Sequence, residues 1–220
     1  MVLIFSVYFR KIFRDNKIVE GRYFKMIVQK YMLIPNDRRA VTFEGKKIVL
    51  YRTQALVDIP AYGIKAGDLG GYIPSEKHWS HKGNSWFGKN CLLISGLVYG
   101  DVFVSGNVIL EDSYISGEAK VVGNVKLVRT QVYDKALISG LTKGCHIEVT
   151  DSHISGQARV ISNGTVRILH STVYGQTRVQ GLYKKGQLLI QSCWLGRGVY
   201  TDDGYNNEDK TFYRVIIPRP

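Results

Sequence analysis

The side chains that could do chemistry in this 220-residue chain are five histidines, three cysteines and thirty Lys/Arg against eighteen acids. The cysteines, Cys91, Cys145 and Cys193, stand far apart, with no CxxC and no Cys/His cluster. That spacing argues against a zinc centre, and no metal site is expected. An odd count without a framework fits a reducing compartment. Lys65-Ala-Gly-Asp-Leu-Gly-Gly could cradle a phosphate, but it lacks the Walker pattern and the strand–GxGxxG–helix context. It reads better as a glycine turn.

The formal charge is +12. Met1 to Arg39 holds nine Lys/Arg against three acids, a net +6. Such an excess favours anionic partners: an acidic protein surface or a nucleic acid. The apolar start, Val2 to Phe9, is too short to span a bilayer, and basic residues follow rather than precede it. A cytoplasmic protein is expected.

The elements that must position these residues are set by a repeat. From Leu97, LVYGDVFVSGNVILEDS is followed by YISGEAKVVGNVKLVRT, both 17 residues long. Longer copies start at Gln131, His153 and Thr172, and a truncated one at Cys193. Aliphatic residues recur about every six positions, as at Val98, Val104 and Leu110 and at Ile115, Val121 and Leu127. A small residue precedes many of them by two, as at Ala119, Ala136 and Ala158, and glycine usually follows by two. Alternation puts the small and the large residue on one face of a short strand. Glycine allows the positive φ of a tight corner. Three such sides close a coil, and a coil buries its apolar stripe only by stacking on others. A helical stripe would not repeat at six. An antiparallel sandwich would not keep a 17-residue register. The expected fold is therefore all-β, a single-stranded parallel β-helix over 84–195.

An open first coil would offer a sheet edge, and 26–83 reads as its β cap. MIVQKYMLI and KKIVLYRTQAL read as strands, with PNDRR and Glu44-Gly45 as turn or loop signals. Residues 1–25 read as an extension and 196–220 as a C-terminal cap, in which TFYRVII is a closing strand.

Relative to the 17-residue copies, the last three carry insertions after Gly140, Ile161 and Gly181. Equivalent positions stack, so the loops should leave one corner side by side, carrying Lys143, His146, Asn163, Lys184 and Lys185. An outward ladder of Lys120, Arg159 and Arg178 should run beside them, with Lys126 and Arg167 on the adjoining side. Together these eight Lys/Arg residues form a basic surface for an anionic macromolecule. Rows about 4.8 Å apart suit an extended anion.

The hexapeptide pattern resembles that of left-handed β-helix proteins, whose best-known members are acyltransferases. KAGDLGGYI from Lys65 and SHKGNSW from Ser80 resemble the head of a bacterial and phage family of hexapeptide-repeat proteins labelled as transferases. The resemblance covers about Ile27 to Leu195 and implies the left hand. It also implies a second function: a homotrimeric acyltransferase using acyl-coenzyme A on a hydroxyl or amine acceptor, with His146 as general base. No carboxylate is assigned to His146, and the C-terminal helix usual in those enzymes is missing from the pattern. A noncatalytic binding or scaffold role, without a cofactor, therefore ranks first.

Overall fold

The computed structural model describes residues 29–140, 145–181, 188–201, 204–206 and 215–216. Parallel strands stack into a three-sided β-solenoid. Side one is a sheet of six strands, Gly96–Val98, Ser113–Ile115, Gln131–Val132, His153–Ile154, Thr172–Val173 and Trp194–Leu195. Sides two and three are one continuous strand in the regular coils, Phe103–Glu111 and Lys120–Val128. Beyond these the strand divides. Leu137–Gly140, Arg159–Ser162, Arg178–Gly181 and Val199–Thr201 continue side two. Ile147–Thr150, Val166–Leu169 and Leu188–Gln191 continue side three.

The six-residue apolar rhythm becomes the core. Val98, Ile115, Val132, Ile154, Val173 and Leu195 form one inward column, and Val104, Val121, Ile138, Val160 and Val179 form another, all essentially inaccessible. Small side chains fill the tight vertex between them: Val102, Ala119, Ala136, Ala158 and Thr177 are fully buried. Phe103 pairs with Lys120 and Gly96 with Ser113, which is the expected 17-residue register. Thr172, however, pairs with Trp194, so the fifth coil runs to Cys193. Cys193 closes that coil rather than opening the next.

Glycine turns two corners. Gly106 and Gly123 bend side two into side three at φ +99° and +105°. A Cβ on either would lie within 2.4 Å of the carbonyl oxygen of the coil above. Gly140 and Gly181, where the insertions begin, do not adopt positive φ. At the third corner Gly96 turns the first coil at φ +101°, and the later coils use no glycine there. Asp112, Arg129, Asp151, His170 and Ser192 turn side three into side one in the left-handed region.

The cap is a hairpin of Tyr31–Phe43 and Lys46–Ala55, turned at Glu44-Gly45, with Leu69–Ile73 beside it. Tyr72 then pairs in parallel with Leu92, and Leu92 with Ile109, so the hairpin extends side three. PNDRR is not a connection. The strand runs through it with a register shift between Ile34 and Arg38. The offset lets Asp37 reach Arg52 at 3.1 Å and Tyr72 at 2.7 Å. At the other end, Gly204–Asn206 and Val215–Ile216 add antiparallel to the last strands of sides two and three. No described helix is long and apolar enough to cross a membrane.

Candidate functional site

Side two carries the basic ladder. The register places Lys120, Arg159 and Arg178 in one outward column, interrupted only by Leu137. All three are exposed. The outward positions of this side hold no acid, and among the described residues none of the three makes an ion pair. Arg159 and Arg178 sit directly opposite each other, an arrangement that repels by about 1 kcal/mol even in water at a 4.8 Å strand spacing.

Side three treats its cations differently. Glu148 pairs in register with both Lys126 and Arg167. Lys126 reaches Glu111 at 3.1 Å, and Arg167 lies 3.7 Å from Glu148. Lys126 and Arg167 therefore belong to a neutralised ladder, set apart from the free cations of side two.

The corner between these sides is where the insertions leave. Gly140, Ser162 and Gly181 stack in one register, so the three departures share an edge. Lys143, Lys184 and Lys185 lie outside the described residues. His146 is exposed just beyond the first departure, and its carbonyl accepts from Val166 N–H at 3.0 Å. Its neighbours in sequence are engaged elsewhere. Glu148 faces Arg167, and Asp151 lies at the opposite corner, held by Arg129 and 3.6 Å from His170. The Arg129 guanidinium keeps the Asp151 carboxyl below the usual range, with His170 adding a smaller pull.

The two head motifs serve packing. Asp58 and Asp68 occupy the backbone N–H groups of Ala66 and Lys65 at 2.9 and 2.8 Å, so the Lys65 loop spends its donors internally. Gly70 and Gly71 leave no room for a Cβ, which would meet Phe87 O at 2.9 Å and Cys91 O at 2.6 Å. His81 Nδ1 accepts from Lys30 N–H at 3.2 Å, and His78 Nδ1 is 2.8 Å from Gly96 O. All three cysteines are buried thiols outside any disulfide, and burial pushes the Cys91 thiol up to about 12. Among the described residues no three His, Cys, Asp or Glu side chains gather as a metal-binding group.

Sequence reasoning missed the corner of Arg129, Asp151 and His170. The signal was present, since each copy ends in a polar residue followed by Ser, Thr or Cys: Asp112-Ser113, Arg129-Thr130, Asp151-Ser152, His170-Ser171 and Ser192-Cys193. No protein-family model matches the chain, and a search of curated proteins returns no match.

Proposed function

We propose that the protein is a noncatalytic binding or scaffold module that engages an anionic macromolecule through side two and the adjoining corner. One observation carries this reading: two neighbouring sides stack cations in register, but only side three interleaves acids. Like charges directly opposite on a sheet are destabilising. Their retention without a partner on side two is explained by a partner that supplies the anion. The hexapeptide-like repeats and head motifs support placing the chain beside the bacterial and phage hexapeptide-repeat proteins, as a rigid display surface rather than an enzyme.

The test uses two polyanions of different class, a fluorescent duplex DNA and polyglutamate, read by anisotropy at low and physiological salt. The chain should bind at least one, with affinity falling as salt rises. Lys120→Glu/Arg159→Glu/Arg178→Glu should weaken that binding at least tenfold, whereas Lys126→Ala should leave it near wild type. Equal binding by the triple variant, or no binding by the wild type, would reject the proposal. Which polyanion binds separates a nucleic acid from an acidic protein.

A further inference from the structure

Side one differs from both of its neighbours. Its two outward columns start at Leu97 and Tyr99, and their twelve positions hold no Asp, Glu, Lys or Arg. In a chain with a net charge of +12, that is a face set apart. It carries one aromatic ring per coil: Tyr99, Tyr114, Tyr133, His153, Tyr174 and Trp194. The rings alternate strictly between the columns. Trp194 is 66% exposed, and Tyr99, Tyr114 and Tyr174 between 41 and 48%.

Three of the rings are held in place. Tyr133 Oη donates to Gln131 Oε1 at 3.1 Å, His153 Nδ1 is 3.3 Å from the same oxygen, and the two rings meet edge-on at 5.1 Å. Gly196 lets the Tyr174 ring lie against the backbone, since a Cβ there would come within 2.6 Å of it. Beside the rings, Gln131, His153 and Thr172 join Arg129, Asp151 and His170 around an open groove. Arg129 holds Asp151 through both nitrogens of its fork, one at 2.9 Å.

We infer that side one binds a neutral, extended β-1,4-linked glycan lying along the solenoid axis, one sugar per coil. A charged polymer gains nothing from a face without formal charge. Aromatic faces carry negative potential, which attracts the polarised C–H groups of a pyranose. The coil rise of about 4.8 Å is close to the length of one sugar in such a chain. Successive sugars in a β-1,4 chain are turned over, and the rings change column at each coil. The groove supplies the paired donors and acceptors that fix hydroxyl groups. A second copy of this chain would match the rings but has no use for that groove.

Isothermal titration of the full chain with cellohexaose and chitohexaose tests this. At least one hexasaccharide should bind saturably, with the corresponding disaccharide at least tenfold weaker. Binding should quench Trp194 fluorescence, because the other two tryptophans, Trp79 and Trp86, are buried. Tyr114→Ala and Trp194→Ala should each weaken binding at least fivefold with unchanged circular dichroism and melting. Lys120→Glu/Arg159→Glu/Arg178→Glu should bind glycan normally, which separates this face from the cationic one. No binding of either hexasaccharide at millimolar concentration overturns the proposal, as does full binding by both ring variants. Ring variants that change the mass by light scattering instead would assign the face to a second copy.

Discussion

Lys30 sits where an ammonium is least at ease. It is 3% exposed, its Nζ donates to Ser85 Oγ at 2.7 Å, and it lies 5.0 Å from the centre of the Trp79 ring. Burial lowers its pKa to about 8, against a smaller opposing pull from Asp101. The folded state therefore sheds this proton before the unfolded chain does. Between about pH 8 and the ordinary lysine value near 10.5, the unfolded chain binds more protons, so stability rises with pH through that window. Relative to Lys30→Met, the wild type should gain on the order of 2 kcal/mol between pH 7 and pH 10, measured by urea denaturation at each pH. A flat difference would mean that the ammonium is not held out of water. At this scale the inward aliphatic residues were legible, because their spacing admits only one face. Lys30 was not. In sequence it counts toward the basic N-terminal excess, and lysine ordinarily stays in water. Only the fold brings Trp79, His81 and Ser85 around it.

The corner between sides three and one shows what an element needs beyond periodicity. Five non-glycine residues in the left-handed region cost about 1–2 kcal/mol each in isolation. A column of buried hydroxyls holds the bend. Ser113, Thr130, Ser152 and Ser171 each donate to the carbonyl two residues back, across the strained residue, at 2.6–2.9 Å. Ser152 Oγ also accepts from Ser171 N–H at 3.1 Å, and Ser171 Oγ accepts from Cys193 N–H at 3.1 Å. The column thus stitches each coil to the next. Ser152→Ala removes both bonds and leaves a buried N–H without a partner, so it should cost about 2 kcal/mol, read as a shift in the denaturation midpoint. Glycine corners could be read from sequence because glycine marks positive φ. This corner is fainter, because Asp112, Arg129, Asp151, His170 and Ser192 share no side-chain type, and only the Ser, Thr or Cys after each of them recurs. PNDRR misled for a related reason. Turn-forming residues also suit a bulge, and here the bulge aims Asp37 at Arg52 and Tyr72.

At the scale of the whole molecule, a stack of parallel strands can grow by adding another molecule at either end. The N-terminal end is covered by the hairpin on side three, and Trp79 bridges to Val98 on side one. At the C-terminal end, Leu188–Gln191 and Val199–Thr201 are the long exposed edges, and each receives an antiparallel strand. An antiparallel strand cannot continue a parallel coil, so it ends the stack. Trp194–Leu195, the last strand of side one, has no such cover among the described residues. It is two residues long, too short an edge to recruit a partner alone. The sequence made the stack legible and located a closing strand in TFYRVII, but pattern alone did not say which side it would close. Deleting 202–220 should therefore leave the coils folded while uncovering two adjacent edges. The truncated chain should keep its β-sheet circular dichroism and associate end to end as concentration rises, seen as growing mass by light scattering. The intact chain should hold a constant mass over the same range. A truncated chain of constant mass would show that the added strands are not what ends the stack.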